Sequence, residues 1–298
     1  MWKLDKISKN DVTIVLPTLN EEKAIGLVID ELRKEGYNNI IVVDGYSSDK
    51  TVEIARSKGV KVIFQEGKGK GGAIKTAIKY VKTPYILVMD ADHTYDPKYI
   101  EKMLEKASEY DEIIGMRKNR EKIPWIHRIG NRIISLTISI LMGKRINDPC
   151  SGMYLLKTKT IKKLELTSAG FDIEIEICGQ IAAIGKITEI PIKYRKRIGP
   201  PKLRTTQGIN IILTLLKITW QYNPLFLFST IASLLLLPGT IILLYQLYLR
   251  YIYGREAWSL GWSWLGLILF IAGLQAVTIA TISLMLKRME RRIIGIVK

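Results

Sequence analysis

Two carboxylates separated by one residue follow the apolar run YILVM. These are Asp90 and Asp92, with Ala91 between them. Two carboxylates so placed can meet at one divalent ion or divide between an ion and a substrate. Mg²⁺ in proteins usually takes one or two carboxylates plus phosphate oxygens. The triplet therefore indicates a Mg²⁺ or Mn²⁺ site for a phosphorylated substrate. The alternative is helix capping, with Asp92–Asp96 preceding Pro97 at a first helical turn.

Positive charge is abundant enough to serve an anionic partner. The 298 residues carry 45 Lys and Arg against 28 Asp and Glu, a net charge of +17. The glycine-rich segment GKGKGG (Gly67–Gly72) lacks the Lys-Ser/Thr ending of a P-loop, but a basic glycine loop that opens a helix can approach a phosphate. A hydrophobic content of 48% excludes a disordered polycation. Two cysteines and two histidines exclude a disulfide framework and a Cys/His zinc site.

The elements that must position these residues alternate between strand and helix. Apolar runs predict four strands, and helical spacing over Glu21–Glu35 and Gly71–Val81 predicts helices between them. This order implies a parallel, helix-covered sheet that binds ligands at the carboxyl ends of its strands. The predicted strands are Val12–Pro17, Asn39–Asp44, Val60–Phe64 and Tyr85–Asp90.

The C-terminal third has a different composition. Residues 224–249 and 262–286 carry no charge, and each run is long enough to span a bilayer as a helix. Basic residues flank the pair on the outer sides, so the positive-inside rule places both ends in the cytoplasm with a short loop outside. The alternative is two buried core helices of a soluble protein.

Two further segments have an apolar helical face beside basic residues. They are Pro124–Lys144, with Trp125, Ile129, Ile133, Leu136 and Ile140 near one face, and Thr206–Asn223. Basic amphipathic helices of this kind lie in the headgroup plane of a membrane. The alternative is that they are core helices or contacts in a homo-oligomer.

Taken together, four segments resemble the family-2 inverting glycosyltransferases, whose fold is called GT-A. The segments are VTIVLPTLNEE, VVDGYSSDKTVEIA, GKGKGGAIKTAI and ILVMDADHTYDP. Later segments resemble the subgroup of dolichyl-phosphate sugar synthases, which move a sugar from a nucleotide diphosphate to a polyprenyl phosphate. These are IIGMR, HRIGNRIIS, INDPCSGMYLLK and GFDIEIEI. The resemblance implies an α/β GT-A domain with a mostly parallel sheet, followed by interfacial helices and a transmembrane hairpin.

The resemblance also implies roles for individual residues. Pro17, Leu19 and Glu21 match the nucleotide-contacting loop. Asp44 matches the first residue of an Asp-Asp-Gly-Ser stretch that reads the base or ribose, although this chain has Gly45 and Tyr46 in place of Asp-Gly.

Further matches concern the diphosphate and the acceptor. The donor diphosphate and its metal ion are assigned to Lys70, Asp90, Ala91 and Asp92. Arg117 and Arg128 match arginines around the donor diphosphate and acceptor phosphate, and Arg197 and Lys202 match a basic pair for the acceptor phosphate. A lipid phosphate is already ionised, so the reaction needs positive charge rather than a strong base.

The implied activity is transfer of a hexose or N-acetylhexosamine to dolichyl or polyprenyl phosphate at the cytosolic membrane face. GKGGA and Thr94 favour a UDP-sugar, with GDP-mannose as the alternative donor. The rival of another class is a non-enzymatic, membrane-anchored nucleotide-binding protein. No nucleic-acid partner is expected, because no recognisable nucleic-acid-binding motif is present and the two aspartates would repel a phosphate backbone.

The expected organisation has five parts on a multi-pass membrane protein. They are a cytosolic GT-A domain (1–205), an interfacial helix (206–223), two transmembrane helices (224–249 and 262–286) and a basic cytosolic tail (287–298).

Overall fold

The computed structural model describes residues 7–118, 125–200 and 207–297. The chain divides into two compact units, Met1–Leu215 and Leu216–Lys298. The strands are β1 (Val12–Thr18), β2 (Ile40–Asp44), β3 (Lys61–Phe64), β4 (Tyr85–Met89), β5 (Glu112–Arg117), β6 (Met153–Lys157) and β7 (Ile187–Ile192). The helices are α1 (Ile25–Lys34), α2 (Thr51–Ser57), α3 (Gly69–Tyr80), α4 (Tyr99–Leu104), α5 (Trp125–Met142), α6 (Thr158–Ile161), α7 (Ile173–Ile184), α8 (Gln207–Tyr222), α9 (Pro224–Tyr253) and α10 (Leu260–Val297).

The first unit is built on one seven-stranded sheet with the order β3-β2-β1-β4-β6-β5-β7. Strands β1 to β4 are mutually parallel, and β6 runs antiparallel to both β4 and β5. The mostly parallel α/β sheet predicted from the sequence is therefore confirmed. All four predicted strands form, and each differs from its prediction by one residue at one end: β1 ends one residue later, β2 and β3 begin one residue later, and β4 ends one residue earlier.

Helix α1 has the buried face that its sequence pattern predicts, but it begins later than predicted. Ile25, Val28, Ile29 and Leu32 are buried, as their helical spacing predicts. The helix begins at Ile25 rather than at Glu21, because Glu21 lies in a turn that is bonded to the start of α2. The backbone N–H of Glu21 donates to Thr51 Oγ1 over 2.7 Å, which ties this turn to the start of α2.

Helix α5 has two apolar stripes. Ile134 and Ile138 are buried, whereas Ile133, Leu136 and Ile140 of the predicted interfacial face are exposed. The helix therefore packs on its first unit through one face and leaves an apolar face uncovered. Contact of that face with a membrane stays a prediction.

The second unit contains the two long apolar helices. Pro224–Tyr253 and Leu260–Leu286 are long and apolar enough to cross a membrane, and only 11% and 22% of their most apolar windows are buried. Such exposure favours membrane association over the alternative of buried core helices. The predicted basic tail continues α10 as helix to Val297.

Glycines bring α9 and α10 close together within this unit. A Cβ added to Gly239 would lie 2.8 Å from the backbone nitrogen of Phe270, and one on Gly273 would lie 2.6 Å from the Leu236 side chain. A Cβ on Gly266 would likewise lie 2.9 Å from Ile242. Small residues at such crossings allow the close backbone packing that joins helices in membranes.

Candidate active site

The carboxyl ends of β1, β2, β3 and β4 lie along one edge of the sheet. In the register, Thr18 is beside Asp44, and Asp44 is beside Phe64. Because these strands and β4 are parallel, the loop after β1 and the triplet Asp90–Asp92 reach the same edge. The structure therefore brings the predicted nucleotide loop, Asp44 and the two aspartates together.

Asp44 organises the loop that follows β2. It is fully buried, and its Oδ1 accepts hydrogen bonds from the hydroxyls of Thr18 (3.2 Å) and Ser47 (2.5 Å). Its Oδ2 accepts the backbone N–H of Ser47 at 2.7 Å. Both carboxylate oxygens thus hold the loop in place. The predicted contact of Asp44 with the base or ribose stays a prediction.

The nucleotide-loop residues differ in exposure. Pro17 is half-buried at the end of β1, and Leu19 is 45% exposed. Glu21 is buried, and its carboxylate accepts a hydrogen bond from the Arg197 guanidinium at 2.5 Å. Leu19 is thus the exposed member of the set, while Glu21 belongs to a charged network.

Asp90 is held between a lysine and a glycine. Its Oδ1 pairs with the Lys70 ammonium, and its backbone N–H donates to the carbonyl of Gly152 at 3.1 Å. A Cβ at residue 152 would lie 2.0 Å from Asp90 Oδ2, so only glycine leaves room for this carboxylate. The segment INDPCSGMYLLK therefore supplies the space that Asp90 occupies.

Lys70 also pairs with Glu174, a residue that the sequence reasoning did not select. The Lys70 and Glu174 side chains are 8% and 4% exposed. Burial alone would lower the pKa of Lys70, but Asp90 and Glu174 raise it well above its usual range. Lys70 is therefore a fixed positive charge at the aspartate pair. The available signal was two glutamates within the apolar helix sequence IEIEICGQIAAI.

The glycines around Lys70 serve a packing purpose. A Cβ on Gly69 would lie 2.4 Å from the carbonyl oxygen of Ala169, and one on Gly71 would lie 2.2 Å from that of Ser168. Gly71 N–H donates to the Ala169 carbonyl at 2.9 Å. The loop thus packs backbone against backbone just before α7, which places Lys70 beside Glu174.

Asp92 binds one cation and one hydroxyl side chain. Its Oδ1 accepts the backbone N–H (3.1 Å) and hydroxyl (2.5 Å) of Thr94, and its Oδ2 accepts from Arg197 at 2.5 Å. Burial and the nearby charge of Asp90 raise the pKa of Asp92, although Thr94 and Arg197 oppose the rise. Each aspartate of the triplet therefore has its own cationic partner.

The segment after β7 lies across the turn that follows β4. Ile198 N–H donates to the Asp92 carbonyl at 3.2 Å, and Arg195 N–H donates to the Thr94 carbonyl at 2.8 Å. Arg197 thereby reaches both Asp92 and Glu21. Its predicted role toward the acceptor phosphate stays a prediction, and Lys202 lies outside the described residues.

The other two predicted arginines have different surroundings. Arg117 is buried and donates to Asp148 through Nε (2.8 Å) and Nη2 (2.7 Å), a bidentate pair that joins β5 to the segment before β6. Arg128 is exposed on α5. Their predicted phosphate contacts stay predictions.

The donor chemistry of the aspartate pair suits the expected metal ion, and the role of these residues as its ligands stays a prediction. Among the described residues, no group of three or more His, Cys, Asp or Glu could hold a metal ion. Two carboxylates at one strand end match a Mg²⁺ or Mn²⁺ ion that completes its coordination with phosphate oxygens and water. Asp90 and Asp92 are the residues that would hold it.

Comparison with known proteins identifies the family. A sequence model described as Glycosyl transferase family 2 matches residues 13–164. The chain belongs to this family. Two of its relatives come from Haloferax volcanii. Glycosyltransferase AglJ is 35% identical over 80% of this chain and 81% of its own length, and a dolichyl-phosphate hexose transferase is 35% identical over 67% and 89%.

A solved structure confirms the fold of this glycosyl transferase family 2 member. Glucosyl-3-phosphoglycerate synthase from Mycobacterium tuberculosis, crystallised with Mn²⁺, uridine diphosphate and glucosyl-3-phosphoglycerate, matches with a TM-score of 0.59. The match covers 73% of this chain and 86% of the synthase at 18% identity. The predicted GT-A architecture is therefore confirmed. The family match and the two relatives show that the chain is a glycosyltransferase.

Proposed function

We propose that the protein transfers a hexose or N-acetylhexosamine, with inversion, from a nucleotide diphosphate sugar to dolichyl or polyprenyl phosphate. The observation that carries the proposal is the pair of half-buried Asp90 and buried Asp92, each matched by a cation, at the carboxyl edge of the GT-A sheet. The dolichyl-phosphate hexose transferase among its relatives supports a lipid phosphate as acceptor. The product would supply lipid-linked sugar for protein or cell-envelope glycosylation.

The residues around the aspartates suit a donor diphosphate. Asp90 and Asp92 would hold a Mg²⁺ or Mn²⁺ ion, which supplies positive charge against the leaving diphosphate. Lys70 is held beside Asp90 and is positively charged. Its ammonium group is therefore already in place to neutralise diphosphate oxygens when the donor binds. Arg197, whose planar guanidinium suits bidentate phosphate contacts, is proposed to face the acceptor phosphate.

The transfer reaction does not require a strong general base, because the acceptor phosphate is already ionised. An ionised phosphate oxygen of the lipid attacks the anomeric carbon of the sugar, and the bond from that carbon to the nucleotide diphosphate breaks. The electron pair leaves with the diphosphate, whose growing negative charge is met by Lys70, while Arg197 is proposed to hold the acceptor phosphate. Positioning and charge neutralisation therefore carry the rate acceleration.

The donor is proposed to be a UDP-sugar. The segment GKGGA and Thr94, which hydrogen-bonds to Asp92, carry this preference over GDP-mannose. Glucose and N-acetylhexosamines are the first sugars to test.

The second unit is proposed to anchor the enzyme in the cell membrane. Helices α9 and α10 would span the bilayer as a hairpin, with the GT-A domain on the cytoplasmic side. The uncovered apolar face of α5, with Arg128 and Arg132 exposed on the same helix, would contact the headgroup region. The acceptor phosphate would then meet the donor at the membrane surface.

The full-length protein in detergent should be incubated with labelled UDP-sugars or GDP-mannose, Mg²⁺ or Mn²⁺, and polyprenyl phosphate. The proposal expects organic-extractable, mild-acid-labile product that depends on both the metal ion and the lipid. Product from GDP-mannose alone would transfer the assignment to a mannosyltransferase. Tight nucleotide binding without turnover on any donor and lipid would instead favour the non-enzymatic rival.

A further inference from the structure

Tyr46 adopts a backbone conformation that tyrosine rarely takes. Its φ is +65°, in the left-handed region. That region costs free energy for any residue with a bulky side chain, and glycine and asparagine are its usual occupants. Gly45 stands one position earlier, yet the conformation falls on Tyr46. Strain of this kind tends to be kept where a side chain has work to do.

The side chain of Tyr46 points into solvent and stacks on a second aromatic ring. Its ring lies 5.3 Å from that of Phe64, with an angle of 17° between the planes. Tyr46 is 66% exposed and Phe64 is 43% exposed. The pair therefore adds little to the core, and it presents aromatic surface that a flat ligand can cover.

The aromatic pair lies on the same sheet edge as the aspartate pair. Phe64 ends β3 beside Asp44, and Tyr46 follows Asp44 by two residues. Strand β2 is separated from β4 by β1 alone, a distance of roughly 10 Å at two strand spacings. A nucleotide lying along this edge could therefore have its diphosphate at Asp90 and Lys70 and its base at the aromatic pair.

Asp44 holds the loop beside the aromatic pair in place. It is fully buried, and both its oxygens are engaged by Thr18 and Ser47. The hydrogen bonds from Ser47 to Asp44 fix the loop that carries the Tyr46 ring. This edge therefore offers an exposed aromatic surface in addition to the predicted contact of Asp44.

We propose that Tyr46 and Phe64 form the stacking platform for the nucleobase of the donor nucleotide. The proposal rests on the proposed function, since it takes the donor to be a nucleoside diphosphate sugar. Stacking uses the π-face that every base has, so the platform supplies affinity with little choice between uracil and guanine. Selection between the two bases then belongs to other groups.

The test compares ligands with and without a base on full-length protein in detergent. UDP and inorganic pyrophosphate, each with Mg²⁺, are titrated by calorimetry into wild type, Tyr46→Gly and Tyr46→Phe. Glycine suits the left-handed backbone, so Tyr46→Gly should keep or raise the melting temperature. Its affinity for UDP should fall about tenfold while its affinity for pyrophosphate is unchanged, and Tyr46→Phe should bind UDP like wild type.

Tyr80→Ala is the matched control, because Tyr80 is also exposed but lies at the end of α3, just before β4 begins. It should bind UDP like wild type. Wild-type UDP affinity in Tyr46→Gly would overturn the platform, as would an equal loss for pyrophosphate. Unchanged UDP affinity with weakened liposome binding would reassign the pair to membrane contact. Failure of wild type to bind any nucleotide would overturn the proposed function itself, and the platform with it.

Discussion

Gly152→Ala should impair transfer by displacing the Asp90 carboxylate. The new Cβ would lie 2.0 Å from Asp90 Oδ2 and 2.5 Å from its Cγ. Since nonbonded heavy atoms pack at about 3.5 Å, Cγ must retreat by about 1 Å and Oδ2 by about 1.5 Å. A misplacement of about 1 Å in a catalytic group can cost on the order of 100-fold in rate. We therefore expect kcat/KM for the donor to fall about 100-fold, or ~2.7 kcal/mol of transition-state stabilisation.

The assay is lipid-dependent transfer at saturating polyprenyl phosphate, with the metal concentration varied. Gly130→Ala is the matched control, because a Cβ there meets nothing within 4 Å. It should retain wild-type kinetics. The displaced carboxylate should also raise the metal concentration needed for half-maximal activity in Gly152→Ala, which a general loss of folded enzyme would not do.

A double-mutant cycle separates the clash from other effects of the methyl group. Asp90→Ala removes the atoms that the new Cβ would meet, so Gly152→Ala should lower the melting temperature much less in that background than in wild type. Additive losses of melting temperature, or wild-type kcat/KM in Gly152→Ala, would refute the reasoning that Gly152 makes room for Asp90.

Three further changes test other parts of the unit. Asp92→Asn should abolish transfer at any Mg²⁺ or Mn²⁺ concentration, because the amide loses the charge that faces the metal ion and Arg197; near-normal turnover would contradict the metal assignment. Glu174→Gln should lower kcat/KM for the donor about tenfold and leave the KM for lipid unchanged, because Lys70 loses one of its two carboxylates; an altered lipid KM alone would contradict this. Burial, with Glu189 adding to it, raises the pKa of Glu112 from 4.5 to about 8. Wild type should therefore lose stability as the pH rises from about 4.5 towards 8, by about 5 kcal/mol. Melting curves of Glu112→Gln should show a flatter pH dependence, and parallel curves would contradict the linkage.

Local sequence patterns predicted the elements whose burial is one-sided or complete. Val12–Leu16 and Ile40–Asp44 are buried along their whole length, so continuous apolar runs identified β1 and β2. Parallel order places their carboxyl ends at one edge, so the sequence pattern alone predicts that Asp44 and the aspartate pair lie close together. This inference needs only the alternation of strand and helix.

Pairing between distant segments was beyond such patterns. Strand β6 enters antiparallel between β4 and β5, and its five residues contain no signal of either neighbour. The contacts of Lys70 with Glu174 and of Arg117 with Asp148 likewise join residues far apart in sequence. A charged residue within an apolar helix predicts that its charge is paired, but the fold decides which residue is its partner. The stacking of Tyr46 on Phe64 is of the same kind, since it depends on adjacent strands.

The glycine contacts between α9 and α10 have an evolutionary consequence. At Gly239, Gly266 and Gly273 the opposing helix fills the space that any larger side chain would need. Substitution of any of these three glycines by a larger residue should therefore be disfavoured. The outward faces carry exposed leucines and isoleucines, which can exchange with any residue that is soluble in hydrocarbon. Related hairpins should accordingly differ widely in sequence while keeping the spacing of these glycines. Their overall sequence identity would then underestimate how closely they are related.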